Sequence, residues 1–321
     1  MTSLAFVFPG QGSQVVGMGQ ALAAASPAAA RVFAEADAAL GEPISRLAWD
    51  GPEEALNRTE QAQPALLATS IAYLEALRER GATAGTGTSL EPAFMAGHSM
   101  GQYSAMVGAG VISLADGVRL VRERGRQMQA SGAGRDGAMA AILGLDEAAL
   151  PELAAQASAH GTFAVANRNA PGQVVISGER AAIDAAAEIA KSLGAKRAIV
   201  LPVSVAAHSP LMGEAAAAMR RILAEVAFHD PAVPLLANAD ARPLTSAEAC
   251  RAELVDHLTA GVDWVRAVES MTAAGVTTFV EVGPGKVLTN LIKRIAPDAS
   301  ALGLDDPGAP DRFAMPSLTP A

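Results

Sequence analysis

The pentapeptide Gly97-His98-Ser99-Met100-Gly101 sets one serine between two glycines, each two residues away. A serine hydroxyl becomes a nucleophile when a base takes its proton. Glycines at this spacing suit the sharp strand-to-helix turn that lifts such a hydroxyl above a sheet. Five histidines could supply the base: His98, His160, His208, His229 and His257. His98 adjoins the serine and should point to the opposite side of the turn, as a packed or hydrogen-bonded residue. His160 and His229 occupy polar, helix-end contexts and are expected to be solvated. His208 stands in Val203-Ser204-Val205-Ala206-Ala207-His208-Ser209-Pro210, where a strand is expected to run into a turn. Its small neighbours would let it lean over a cleft, so it is the best-placed base.

Two further groups could act on a substrate. Gly10-Gln11-Gly12-Ser13-Gln14 invites a nucleotide-binding reading, but the third glycine of the dinucleotide fingerprint would fall at Val15, and no Gly-Lys-Ser/Thr follows. A loop of this kind suits an oxyanion contact, in which a backbone N–H works alongside that of Met100; a tight turn without a ligand is the alternative. In residues 117–128, Val118, Leu120, Val121 and Met128 mark the buried stripe of a helix, and Arg124 lies on the same stripe. A charge facing inward is costly unless an anion meets it. Arg124 is therefore either half of an internal salt bridge or a fork for an anionic substrate. Arg122 and Arg126 are expected to face outward.

The elements that must position these groups are legible from apolar runs. Residues 4–8 form a compact strand ended by Pro9-Gly10, residues 92–96 a second, and residues 102–107 open a helix behind the serine. Ala-rich helical stretches cover 18–40 and 64–80, and the small residues of 81–88 read as a flexible loop. Strands and helices alternate with short connections, which predicts a parallel α/β sheet covered on both faces. Between 137 and 203 the order is strand 138–145, helix 146–158, strands 163–166 and 173–177 joined through 167–172, helix 181–193 and strand 197–202. That βαββαβ order predicts a ferredoxin-like subdomain inserted into the larger body. The expected division is 1–128 with 204–300 as the body, 129–203 as the subdomain, and 301–321 as a flexible tail.

The chain has 321 residues, half of them hydrophobic but only 4% aromatic, so Ala, Val, Leu and Ile must build its core. The net charge of −9 argues against nucleic acid as a partner. A single cysteine, Cys250, excludes an internal disulfide and a cysteine-based metal cluster. No secretory signal and no apolar run near the roughly 20 residues that span a bilayer is visible. A cytoplasmic protein without membrane association is expected.

Taken in order, Phe8-Pro9-Gly10-Gln11-Gly12-Ser13-Gln14, Gly97-His98-Ser99-Met100-Gly101, Arg124-Gly125, Asn167-Arg168-Asn169-Ala170-Pro171-Gly172-Gln173, Ala207-His208-Ser209-Pro210 and Glu281-Val282-Gly283-Pro284-Gly285-Lys286 resemble the malonyl-CoA:acyl carrier protein transacylases and the related polyketide synthase acyltransferases. The resemblance covers roughly residues 4–296. It implies an α/β-hydrolase-like body with a parallel sheet and an inserted ferredoxin-like subdomain. It also implies that Ser99 takes an acyl group from a coenzyme A thioester, that His208 is the general base, and that the N–H groups of Gln11 and Met100 form the oxyanion hole. Arg124 would pair with the malonyl carboxylate. An acyl carrier protein's phosphopantetheine thiol would then accept the acyl group in a ping-pong reaction, with no resident cofactor and no metal. Asn167, Val205 and Gln63 are candidate pocket residues.

Three departures from the family pattern stand out. Gln102 follows Gly101 where many relatives have Glu. His257 stands where bacterial relatives commonly carry a glutamine whose backbone carbonyl orients the catalytic histidine. Val205 matches neither polyketide signature for extender choice and sits closer to the fatty-acid-type enzymes. The competing readings are a trans-acting polyketide acyltransferase using a substituted malonyl unit, a plain serine hydrolase, and a subunit of a larger assembly such as a malonate decarboxylase. Carrier proteins are typically acidic, so a local basic patch is expected for docking. Lys191, Lys196, Arg197, Lys286, Lys293 and Arg294 are the candidates.

Overall fold

The structure, a computed structural model, describes residues 3–83, 91–134, 136–203 and 205–305. Its strands are β1 (Ser3–Phe8), β2 (Phe94–Gly97), β3 (Gly137–Leu143), β4 (Phe163–Ala170), β5 (Gln173–Glu179), β6 (Arg197–Val200), β7 (Leu235–Leu236), β8 (Pro243–Leu244), β9 (Val262–Asp263), β10 (Val276–Glu281) and β11 (Ser300–Gly303). The larger sheet runs β11-β10-β1-β2-β7-β8, parallel at every pairing except β7 with β8. β1 lies at its centre and is buried on both faces, which is why it reads as an unbroken apolar run. Phe6 and Phe8 enter one core and Ala5 and Val7 the other, as the two-residue period of a strand requires.

The second sheet runs β6-β3-β5-β4-β9. Its first four strands are antiparallel in the order that a ferredoxin-like βαββαβ unit produces, and β9 joins from the larger body in parallel with β4. Helices Leu150–Ala157 and Arg180–Ser192 bury Leu153, Ile183 and Ala186 against it.

Several local expectations are corrected. The 18–40 stretch is two helices, Gln20–Ala25 and Pro27–Leu40, because the Ser26 hydroxyl accepts from the Ala29 N–H at 3.2 Å and Pro27 starts the second. Helix Thr59–Thr83 continues through residues 81–83, which were expected in a loop; residues 84–88 lie outside the described residues. β4 extends to Ala170, so the link to β5 shrinks to Pro171-Gly172, and β6 stops at Val200 rather than 202. Residues 301–303 are not tail: they complete β11 against β10, and Leu304 is buried, whereas 306–321 lie outside the described residues. The Glu281 motif is structural. Its buried carboxylate accepts the N–H groups of Leu288 and Thr289 at 3.0 and 2.7 Å and so caps helix Val287–Ile295. Among the described residues no helix is long and apolar enough to cross a membrane.

Two glycine contacts bring the site together. A Cβ on Gly125 would lie 2.7 Å from the Glu60 Cα. Only glycine therefore lets helix Leu114–Gly132 cross the start of helix Thr59–Thr83 closely enough for Arg124 to reach Gln63. A Cβ on Gly101 would lie 2.2 Å from the Phe8 carbonyl oxygen, so the serine turn is pressed onto the end of β1. Gly101→Ala is expected to cost about 3 kcal/mol or more by forcing two backbone segments apart. Thermal unfolding would register it as a large fall in Tm, and an unchanged Tm would refute the contact.

Candidate active site

Only His98, Ser99 and Met100 separate β2 from helix Gly101–Gly108. The chain makes this turn by putting Ser99 at φ 53°, a left-handed conformation rare outside glycine. A Cβ on Gly97 would sit 2.0 Å from the Gly101 carbonyl carbon, so the turn closes only over glycine. Gln102 is buried beneath it. Its amide oxygen accepts the Gly97 N–H at 3.1 Å and its NH2 donates to the Leu236 carbonyl at 2.9 Å. An ionised glutamate could not make the second bond, so the amide suits this position.

The Ser99 hydroxyl donates to His208 Nε2 at 2.8 Å. His208 is 4% exposed and also left-handed, at φ 59°. It lies in a turn beyond the end of β6, not at a strand terminus as expected. Its Nδ1–H donates to the carbonyls of His257 at 2.7 Å and Ala260 at 3.1 Å. Those bonds fix the tautomer that leaves Nε2 free to accept the serine proton. Backbone carbonyls thus do what a carboxylate does in a Ser-His-Asp triad. Burial, followed by the adjacent Arg124 cation, pushes the His208 imidazole down to about 4, so the base stays neutral.

Arg124 is 1% exposed. Its Nη1 donates to Gln63 Oε1 at 2.9 Å and its Nη2 to Ser99 Oγ at 3.1 Å; Nη2 also lies 3.4 Å from His257 Nε2. Among the described residues no carboxylate pairs with it, and its Nε has no partner. Burial lowers its affinity for the proton, but a guanidinium remains charged. A buried cation held only by neutral dipoles, within hydrogen-bond distance of a nucleophile, is a receptor for an anion. The salt-bridge alternative for Arg124 is thereby removed. Arg122, expected to face outward, is the residue that forms one: it is 7% exposed and meets Glu42 and Gln61.

The oxyanion candidates flank the same turn. Met100 is the N-cap residue of helix Gly101–Gly108, so its N–H lies at the turn directly after Ser99. Gln11 projects from the loop after β1, and a Cβ on its neighbour Gly10 would touch the His98 carbonyl at 2.6 Å, so loop and turn are in contact. The Gln11 side chain meets Thr59 and Gln63 at 3.3 and 3.5 Å. Asn167 is buried on β4 opposite Val262, and Val205 packs half-buried on the main core. The His98 Nε2–H donates to Asn169 Oδ1 at 2.9 Å, the hydrogen-bonded role expected of it. Of the proposed docking cations, three are already engaged: Lys191 with Glu188, Lys286 with Asp305, and Arg294 with Gln173 and the Pro171 carbonyl.

Sequence reasoning missed Asn238 and Glu253. Asn238 Oδ1 accepts the Ser99 N–H at 2.8 Å and its NH2 donates to the Gly97 carbonyl at 3.0 Å, clamping the strained turn from behind. The Asn238 N–H in turn donates to Glu253 at 2.7 Å, a carboxyl that burial pushes up to about 7. Glu253 shares the inward stripe of helix Ala247–Asp256 with Cys250 and Leu254, the same signal that singled out Arg124.

The geometry agrees with what comparison finds. The acyl transferase domain family matches residues 5–304. The malonyl CoA-acyl carrier protein transacylase of Escherichia coli K12 is 47% identical over 309 residues, 96% of this chain and 98% of that protein. The solved acyl carrier protein S-malonyltransferase of Vibrio cholerae superposes with a TM-score of 0.93 at 41% identity, covering 97% and 100% of the two chains. A malonyl-transacylase solved in complex with its type II polyketide acyl-carrier protein superposes at 0.91 with 42% identity, covering 97% and 98%. This chain belongs to the acyl transferase domain family.

Proposed function

We propose that this protein moves a malonyl group from malonyl-CoA to the phosphopantetheine thiol of an acyl carrier protein, by way of an ester on Ser99. The observation that carries the reading is the buried Arg124 guanidinium, without a carboxylate partner among the described residues and 3.1 Å from the Ser99 hydroxyl. Malonyl has a single carbon between its carboxylate and its thioester carbon. An anion receptor this close to the nucleophile fits that short diacid.

In the first half-reaction the Ser99 oxygen attacks the thioester carbon while its proton passes to His208 Nε2. The tetrahedral oxygen is held by the N–H groups of Met100 and Gln11. Collapse breaks the carbon–sulfur bond, and His208 returns the proton to the departing coenzyme A sulfur. In the second, the carrier thiol gives its proton to His208, its sulfur attacks the ester carbon, and the Ser99 oxygen leaves and regains a proton. Acyl exchange between two thiols through an oxygen ester is redox-neutral, so the reaction calls for no resident cofactor. Coenzyme A and the carrier are encountered in the cytoplasm, where we place the protein.

Intact-mass measurement after exposure to equimolar malonyl-, methylmalonyl- and acetyl-CoA tests this. One malonyl adduct per chain on the Ser99 peptide, discharged by added phosphopantetheinylated carrier protein, is the expected result. Release of free malonic acid as fast as carrier is loaded would instead make the protein a hydrolase.

A further inference from the structure

His257 meets the site twice, through different atoms. Its backbone carbonyl accepts from the base, His208 Nδ1, at 2.7 Å. Its imidazole, 1% exposed, places Nε2 3.4 Å from Arg124 Nη2. A guanidinium has only donors, so Nε2 must be the acceptor and the ring proton must sit on Nδ1. That Nδ1–H is buried and has no partner among the described residues, a cost the protein accepts to keep Nε2 turned toward the arginine. The ring cannot swing away easily. The Tyr103 ring abuts it edge-on at 6.0 Å with planes 90° apart, and His208 lies 6.1 Å on another side. Arg124 is therefore gripped at three points, by the Gln63 amide, the Ser99 oxygen and the His257 imidazole.

We propose that the His257 side chain is a positioning residue for acyl-group selection, setting the rotation of the Arg124 guanidinium so that its fork meets the substrate carboxylate. The inference rests on the reading that Arg124 receives that carboxylate. When the acyl group arrives, Nη2 exchanges its bond to the Ser99 oxygen for one to the carboxylate, while Gln63 and His257 hold the plane. Without the imidazole acceptor the planar fork could rotate about its terminal bonds, and the bidentate pairing would lose geometry. The carbonyl that orients His208 is untouched by changing the side chain, so selection and base chemistry come apart experimentally.

The test measures Ser99 loading from malonyl-CoA and from acetyl-CoA in His257→Phe and His257→Gln. Phenylalanine fills the space with a flat ring that has no acceptor; His257→Met serves the same end if the phenylalanine variant does not fold. The expected result is a KM for malonyl-CoA raised roughly tenfold or more, with acetyl loading within about threefold of the parent and the acid limb of the pH profile unmoved. Glutamine, whose Oε1 can accept from Nη2, should restore most of the malonyl preference. Equal losses with both thioesters, or a glutamine variant as impaired as the phenylalanine one, would overturn the proposal. If instead Arg124→Ala itself failed to discriminate malonyl from acetyl, the carboxylate reading of Arg124 would fall first.

Discussion

Replacing His208 with alanine is expected to slow malonyl loading of Ser99 by roughly 10³-fold at pH 7, with the fold retained. Among the described residues the serine proton has one acceptor in reach, Nε2 at 2.8 Å, and that nitrogen is free because Nδ1–H is committed to two carbonyls. The pH profile of kcat/KM in the parent should carry the same signature. An imidazole at the ordinary 6.5 would be only about 3% neutral at pH 5. With the His208 imidazole pushed down to about 4, most of it remains neutral there, and loading should fall only as the pH approaches that value. An acid limb near 6.5 would show that burial and Arg124 do not bear on the base as described. Single-turnover loading followed by rapid quench and mass detection reads both results.

The second large effect is one of preference. Arg124→Ala should lower malonyl loading by roughly 10²- to 10³-fold, which is about 3 to 4 kcal/mol for losing a bidentate charge-assisted pair. Acetyl loading, which offers no carboxylate, should fall far less. Arg124→Met separates this from packing, because it nearly fills the volume and removes a buried cation that has no carboxylate partner among the described residues. Its Tm should hold, since replacing a buried charge by a well-packed apolar residue is often neutral or stabilising. In both variants, measured with acetyl-CoA, the acid limb should move upward, because the Arg124 charge is part of what depresses the His208 imidazole. Equal losses with the two thioesters would remove Arg124 from carboxylate recognition.

Much of this site was legible in the chain because its signals are local. Glycines on both sides of Ser99 announce a turn that steric contact then requires, and an arginine on an apolar stripe announces a buried charge in want of a partner. What the sequence could not supply is distance. Arg124 and Arg122 both turn out to be buried, and nothing in their neighbourhood tells that Glu42 satisfies one while, among the described residues, neutral groups alone hold the other. The clamp behind the elbow joins Ser99 to Asn238, 139 residues away, and Asn238 to Glu253, which no turn chemistry relates. His208 reads as a strand-end residue because 201–207 is extended and apolar in sequence, yet β6 stops at Val200 and its pairing with β3 ends at the bond from the Leu201 N–H to the Met139 carbonyl.

Of the three non-glycine residues with left-handed backbone among those described, two are Ser99 and His208. Each such conformation is worth about 1 to 2 kcal/mol less than an ordinary one, and the gap is bridged by few bonds: Asn238 for one, two carbonyls for the other. Heat tolerance and turnover are therefore rival claims on the same pair. Warming should relax these two turns before the sheets separate, so the protein would go silent while still folded. A lineage seeking greater robustness would have to find it elsewhere in the chain.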